Sequence, residues 1–244
     1  MDDTYMVESG GTPKYKLSVE GYSPHCSKTL QYRDHALIGI SPFNSRFSPD
    51  YVDELLSWAH REFKRVDILL PDNAHAGLLL RATGIPAEKA DRKVRKELNR
   101  HTRTIKRVLE KLDGTSANTN IFRFSDFFDH PEYRRLRSQV ETAYGECSAF
   151  RAACKDMSSQ AISGRARGTA SGSQNLAEPH KYIDIAIPYI FAELPFYLNS
   201  PRLTLASSST FLYHKIWPIG IALREGQFPL EIDEKQAHGI VSIN

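Results

Sequence analysis

The sequence predicts an α/β protein in which a parallel sheet is flanked by helices. Three observations point there. An apolar run from Ala36 to Ile40 stops at Ser41-Pro42. A second run, Val66-Asp67-Ile68-Leu69-Leu70, stops at Pro71. Between them Val52, Leu55, Leu56, Ala59 and Phe63 recur at helical spacing. Strand, helix and strand within about 35 residues make a βαβ unit, which demands a parallel pair and a right-handed crossover.

Residues 1–30 carry Gly10-Gly11-Thr12-Pro13 and little periodicity. They read as a mobile arm with one strand near Tyr15 to Val19, and residues 31–244 as a single domain. Ser48-Pro49-Asp50 predicts a helix start, with Ser48 as N-cap and Pro49 at the first helical position. A short helix covers Ala76 to Ala82, and Pro86 opens a long one to about Leu112. Asp113 to Asn118 is a loop, and Ile121 to Phe124 a third strand. Pro131 opens a helix through Tyr133, Leu136, Val140 and Tyr144, and another runs from Cys147 to Ile162. Ser163 to Gln174, rich in Gly, Ser and Arg, reads as a flexible loop. A helix from Leu176 to Glu193, kinked at Pro188, follows. The apolar run Phe211 to His214 and a strand at Gly239 to Ser242 complete the chain.

Of 244 residues, 41% are hydrophobic and 25% charged, as in an ordinary globular protein. There is no run of about 18 apolar residues to span a membrane. Met1-Asp2-Asp3-Thr4 lacks a basic flank and an apolar core, so no signal peptide is expected. Cys26, Cys147 and Cys154 form neither a disulfide framework nor a zinc pattern. A reducing, cytoplasmic setting is the expectation.

The charge is uneven. Glu88 to Leu112 holds ten Lys or Arg against four Asp or Glu, while the rest of the chain holds 22 against 25. Ala90, Val94, Leu98, Ile105, Leu109 and Leu112 fall on one side of this helix. Arg92, Lys93, Arg95, Lys96, Arg100, Arg103, Lys106 and Arg107 cover most of the other. Such a rod, roughly 38 Å long at ~1.5 Å per residue, can be a plain solvated face. Yet its one-signed charge has few acids at i,i+4 and repels itself. A phosphate backbone would relieve that repulsion, so nucleic acid is the expected partner. Without interleaved aromatics, phosphate contacts are expected rather than base stacking.

Ser41 leaves a buried strand at the carboxyl edge, where α/β proteins bind ligands. It is a candidate nucleophile, and equally a cap for the following turn. Glu193 lies four residues after Tyr189, so the two share a helix face amid apolar neighbours. A carboxylate there is costly unless it holds a cation, which a local Arg or Lys could also supply. Tyr213 and His214 end their run much as Ser41 ends the first. Serine with histidine suggests acyl transfer. However, Gly39-Ile40-Ser41-Pro42-Phe43 lacks the second glycine of a hydrolase elbow. There is no phosphate-binding glycine loop, no His-Glu-x-x-His and no Cys-x-x-Cys, so neither metal nor cofactor is implied. Lys155-Asp156-Met157-Ser158-Ser159 is only superficially like a synthetase ATP loop.

The chain resembles the cyclodipeptide synthases, most closely the branch that joins two leucines, from about His35 to the last strand. The resemblance rests on Gly39 to Ser48 (Gly-Ile-Ser-Pro-Phe-Asn-Ser-Arg-Phe-Ser), the basic Lys89 to Glu97, Gly164-Arg165-Ala166-Arg167-Gly168-Thr169, Ala192-Glu193-Leu194-Pro195-Phe196 and Tyr213-His214. Asn44, Tyr213 and His214 match its asparagine-tyrosine-histidine subgroup. The resemblance implies a Rossmann-like fold similar to the catalytic domain of class I tyrosyl- and tryptophanyl-tRNA synthetases, without their ATP signatures.

It also implies a reaction. Two aminoacyl-tRNAs are used in sequence, the first docking on the Arg92 to Arg107 face. Ser41 becomes an aminoacyl-enzyme and then a dipeptidyl-enzyme, which cyclises. Tyr189 and Glu193 hold the substrate ammonium. Tyr213 relays protons, Asn44 and His214 order the site, and Tyr133 lines it. Leu37, Gly39, Leu69, Phe124, Met157, Phe196 and Phe211 line the first amino-acid pocket, whose apolar walls suit leucine, with Ile, Met, Phe or Val as minor substrates. Two other readings stay open at this point: a serine hydrolase or aminoacyl-tRNA deacylase, and a tRNA-binding protein without catalysis.

Overall fold

The computed structural model describes residues 15–112, 119–168 and 182–244. Six strands make one sheet: β1 (Leu17–Gly21), β2 (His35–Gly39), β3 (Arg65–Leu70), β4 (Ile121–Arg123), β5 (Ser209–Tyr213) and β6 (Gln236–Ile243), in the order β1-β6-β5-β2-β3-β4. The expected βαβ unit is present. β2 and β3 pair in parallel, with Ile38 opposite Ile68, and α2 (Pro49–Glu62) crosses between them. Ser48 caps α2 as expected, its Oγ accepting the Tyr51 N–H at 3.2 Å, and Pro49 opens the helix.

β5 pairs with the other side of β2, also in parallel. From β2 the chain therefore winds outward to β3 and β4, then returns to β5 and β6. The order reverses between β2 and β5, and a cleft opens at the carboxyl ends of those two strands. The pleat sorts the residues. Leu37, Leu69 and Phe211 face a core made with α5 (Pro131–Glu146), α6 (Ser148–Gly168) and α7 (Ile183–Thr204). Ile38, Ile40, Ile68, Leu70 and Leu212 face the opposite core, under α2 and the far end of α4 (Ala87–Lys111). The start of α4 packs on α3 (Asn73–Arg81) through Ala90, Val94 and Leu98.

Several expectations are corrected. Residues 17–30 are not a mobile arm, and the strand expected near Tyr15 to Val19 is present as β1. β1 adds an antiparallel edge to an otherwise parallel sheet, Leu17 opposite Ile243 and Gly21 opposite Gly239. α1 (Pro24–Leu30) follows, capped by Ser23, with Cys26 and Leu30 buried. A Cβ on Gly21 would stand 2.4 Å from the Ser27 nitrogen, so this corner needs glycine. The closing partner, β6, lies some 220 residues away in sequence (Leu17 to Ile243), which hid the pair from any local pattern.

α4 begins and ends as expected. The third strand is shorter, because Phe124 turns into a 3-10 helix (Phe124–Phe127). α6 continues to Gly168, so Ser163 to Gly168 extend a helix rather than begin a loop. The expected loops at 113–118 and 169–174, and residues 1–14 and 176–181, lie outside the described residues. α7 does not end at Glu193. Its backbone stays helical through Pro188 and Pro195 and breaks at Asn199 (φ −156°, ψ 62°). There Asn199 Oδ1 accepts the Arg202 N–H at 3.2 Å and caps a further turn. α8 (Pro218–Arg224) had no counterpart in the sequence pattern.

The amino-end edge of the sheet is closed by a buried polar network. His35 Nδ1 lies 2.9 Å from Ser209 Oγ, and its Nε2 lies 3.2 Å from Asp67 Oδ2. Asp67 also pairs with Arg65 and accepts the Asn120 N–H at 2.9 Å. Burial raises the Asp67 carboxyl, but the bonds from His35 and Asn120 outweigh it and hold the group below its ordinary range. The Ser200 and Ser209 hydroxyls are 2.8 Å apart, and Gln236 Oε1 accepts the Ser200 N–H at 2.7 Å.

Candidate active site

The cleft holds a cavity of about 500 Å³. Ser41, Asn44, Tyr189, Glu193, Tyr213 and His214 all line it, though they come from three separate parts of the chain. Each arrives for a local reason. β2 ends when the Ile40 N–H bonds the Leu69 carbonyl at 3.0 Å, and Pro42 removes the next donor but one. The chain then turns sharply, with Phe43 at φ 61°, in the left-handed region where glycine is usual. Asn44 Oδ1 accepts the Arg46 N–H at 3.1 Å, and the Asn44 carbonyl accepts the Phe47 N–H at 3.0 Å. Asn44 thus folds the loop that carries Ser41.

Tyr189 and Glu193 stand one turn apart on α7, as i,i+4 spacing requires. Tyr213 closes β5 within a column of rings: Phe211 at 4.5 Å, Tyr197 at 6.0 Å and Tyr22 at 6.3 Å. Burial drives the Tyr213 hydroxyl far above its ordinary value, and the nearby Glu193 carboxylate adds to this. Tyr213 therefore stays a phenol. His214 packs edge-on to Phe47 at 6.3 Å. Burial, with the Arg46 and Lys215 cations, holds its imidazole down at about 4, so it is neutral near pH 7.

Of the residues expected to form the amino-acid pocket, Gly39, Leu69, Phe124 and Met157 line the cavity. Leu37, Tyr133, Phe196 and Phe211 stand in the layer behind. Phe196 stacks on Phe124 at 5.9 Å, and Tyr133 packs on Phe196 at 5.6 Å. The Tyr133 hydroxyl, pushed up to about 12 by burial, donates to the Ala192 carbonyl at 3.1 Å, one residue before Glu193. These four shape the wall without forming it. Residues the sequence did not single out also line the cavity, among them Phe43, Leu79, Gln160, Ile190, Lys215 and Trp217. Lys215 and Trp217 lie one and three residues after His214, which was the one available signal. Among the described residues no group of three or more His, Cys, Asp or Glu could hold a metal ion. No helix among them is long and apolar enough to cross a membrane.

The basic helix runs beside this cleft. Arg92, Arg95, Lys96, Arg103, Lys106 and Arg107 are exposed, and Lys93 is half-buried. Arg100 differs. Its guanidinium grips Glu97 at 2.7 and 3.0 Å. His101, buried beneath, lies 3.3 Å from the same carboxylate. Bonds from His101 and Arg100 outweigh burial and pull the Glu97 carboxyl down to about 2.

The fold is shared with proteins of known structure. A Mycobacterium tuberculosis structure, which demonstrates that cyclodipeptide synthetases are related to type I tRNA synthetases, aligns with TM-score 0.79 and 26% identity, over 95% of this chain and 97% of that one. A cyclodipeptide synthase from Bacillus thermoamylovorans aligns with TM-score 0.85 and 32% identity, over 93% and 96%. The cyclodipeptide synthase family model matches residues 17–243. The cyclo(L-leucyl-L-leucyl) synthase of Photorhabdus laumondii is 45% identical, over 93% of this chain and 96% of its own length. That of Bacillus subtilis is 40% identical, over 91% and 88%. The chain belongs to the cyclodipeptide synthase family, and is therefore an enzyme, an aminoacyltransferase. The match begins at residue 17, earlier than the resemblance at His35, in agreement with the folded β1 and α1.

Proposed function

We propose that this enzyme takes two aminoacyl groups from charged tRNA and joins them into a cyclic dipeptide, mainly cyclo(Leu-Leu). The observation that carries this is the convergence of Ser41, Tyr189, Glu193 and Tyr213 on one cavity whose inner wall is apolar. The leucine reading rests on Leu69, Leu79, Phe124, Met157 and Ile190 in that wall, and on the activity named for the Photorhabdus and Bacillus relatives.

The first aminoacyl-tRNA lays its acceptor stem along the exposed cations of α4. Ser41 Oγ attacks the ester carbonyl, and the 3′-hydroxyl of the tRNA leaves with the proton. Glu193 and Tyr189 hold the ammonium of the bound residue. The free amine of the second aminoacyl-tRNA attacks the seryl ester, which frees Ser41 and leaves a dipeptidyl-tRNA. Ser41 then attacks that tRNA ester, the second tRNA leaves through its 3′-hydroxyl, and a dipeptidyl-enzyme results. Its own amine then attacks the new seryl ester, which frees Ser41 and closes the ring. Tyr213, kept as a phenol, passes protons between amine and leaving oxygen. Asn44 and the neutral His214 hold the serine loop and its surroundings. An ester is already activated, so the protein supplies position and charge stabilisation, without ATP. Charged tRNA is a cytoplasmic substrate, and the enzyme works there. A pocket of this kind separates neighbouring aliphatic side chains by only about 1–3 kcal/mol, so minor products with Ile, Met, Phe or Val accompany the main one.

The test is mass spectrometry of products from purified enzyme and leucyl-tRNA without ATP. A cyclo(Leu-Leu) mass that disappears in Ser41→Ala is the expected result. Free leucine alone would make the protein a deacylase. Untouched leucyl-tRNA would overturn leucine as the substrate.

A further inference from the structure

The ester that Ser41 attacks has two halves. The acyl half enters the apolar inner cavity. The alcohol half lies one bond from the carbonyl, so it stays at the mouth. Resting on the reading that this alcohol is the terminal adenosine of a charged tRNA, we infer that Trp217 and Lys215 form its seat, with the purine stacked on the indole.

Both residues line the same cavity as Ser41. Lys215 is exposed and makes no ion pair among the described residues. Its Nζ lies 3.8 Å from the centre of the Trp217 ring. A cation beside an aromatic face is the pairing that single-stranded nucleic acid selects, the ring for the base and the charge for the adjoining phosphodiester. Lys215 reaches the substrate side of the cleft next to His214, and Phe47, which touches His214, accepts a bond from Arg100 of the basic helix. The mouth is thus continuous with the cationic rod.

The platform is rigid, although its side chains face outward. The Tyr22 hydroxyl donates to the Lys215 carbonyl at 2.8 Å. The Trp217 carbonyl accepts the Gly220 N–H at 2.9 Å and the Ile221 N–H at 3.3 Å. A Cβ at Gly220 would stand 2.5 Å from the Tyr197 hydroxyl, so α8 sits as close to α7 as the chain allows. Ile216 between the two residues is nonetheless 45% exposed. A pinned backbone that presents an aromatic ring, a cation and an open apolar side chain is preorganised for a ligand. Phe43, another ring lining the cavity, is already packed against the apolar cluster of α3 and α4.

The experiment is calorimetric titration with 3′-(L-leucyl)amino-3′-deoxyadenosine, an uncleavable amide analogue of the charged terminus. Trp217→Ala is expected to raise its Kd roughly five- to 150-fold, as loss of one stacked base does. Trp217→Phe restores most of the affinity. Arg103→Gln leaves it unchanged, because the analogue has no acceptor stem. The seat is overturned if the wild type fails to bind the analogue, or if Trp217→Ala binds as well as the wild type. It is equally overturned if Trp217→Phe is as weak as Trp217→Ala, or if Phe43→Ala carries the loss instead. Failure of the proposed function reads differently: the analogue binds through Trp217, yet leucyl-tRNA gives no cyclic product.

Discussion

Arg100 Nη2 donates to the Phe47 carbonyl at 3.4 Å, which ties the middle of the basic helix to a residue lining the cavity. One arginine of the row is therefore structural, while its neighbours face solvent. Arg100→Gln should cost about 1 kcal/mol, seen as a fall in Tm of about 2–4 °C for a chain of this size. Arg103→Gln should change stability by less than about 0.5 kcal/mol. It should instead weaken tRNA binding and lower the salt slope by about one. Thermal melts beside filter binding at two salt concentrations separate the two. Equal behaviour of the two variants would refute the distinction.

Glu97 makes stability depend on acid. Its carboxyl titrates at about 2 in the fold against an ordinary 4.5. The native state thus holds fewer protons than the unfolded chain between those values. The stabilisation is full above about pH 5 and fades as the pH falls from 4.5 toward 2. Glu97→Gln should lose on the order of 1–3 kcal/mol at pH 6, and the gap to the wild type should narrow by pH 3. Urea unfolding across that range measures it, and a gap independent of pH would count against the clamp.

Gly39 lets Phe211 lie against the strand that leads to Ser41. A Cβ there would stand 3.0 Å from Phe211 Cε2 and 3.3 Å from its Cζ. Phe211 is fully buried and backs onto Tyr213, so it has little room to yield. Gly39→Ala should cost about 1–3 kcal/mol as overpacking and slow turnover by displacing Tyr213. Adding Phe211→Leu should recover part of both. A double variant no better than the sum of the singles would show the contact to be unimportant.

His214 should not titrate between pH 5 and 8, because burial holds it neutral down to about 4. Proton NMR of the histidine ring signals, assigned by their loss in His214→Asn, checks this. A midpoint near 6.5 would mean that water reaches the ring. It follows that any acid limb of the activity in that range belongs to another group, such as the attacking amine, whose ordinary pKa is about 8.

Much of the frame was legible because its signals are local. Pro42 and Pro71 mark two strand exits, Ser48 and Pro49 a helix start, and Ala90, Val94 and Leu98 a buried stripe. The parts that escaped depend on distant partners. The strand near Tyr15 to Val19 was legible, but its partner β6 was not, and the break at Asn199 is held by an asparagine cap inside a helix that continues past it. Of the site, Ser41 could be picked out as the residue leaving a strand. Its meeting with Glu193 and Tyr213 follows from β5 returning to pair with β2, which no spacing encodes. Lys215 and Trp217 belong to no periodic pattern, and only their place at the mouth distinguishes them.

The network at the amino-end edge of the sheet carries a lesson about reactive serines. Ser209, His35 and Asp67 stand in a row of close polar contacts, the arrangement that a search for nucleophiles would select. All three are at most 2% exposed. No ester can reach Ser209, and no leaving alcohol could depart from it. The row serves as a rivet that joins β2, β3 and β5 where the sheet has no cleft. A serine and a histidine, Ser41 and His214, also line the cleft at the opposite end of the sheet, and what sets them apart from this row is the open cavity beside them.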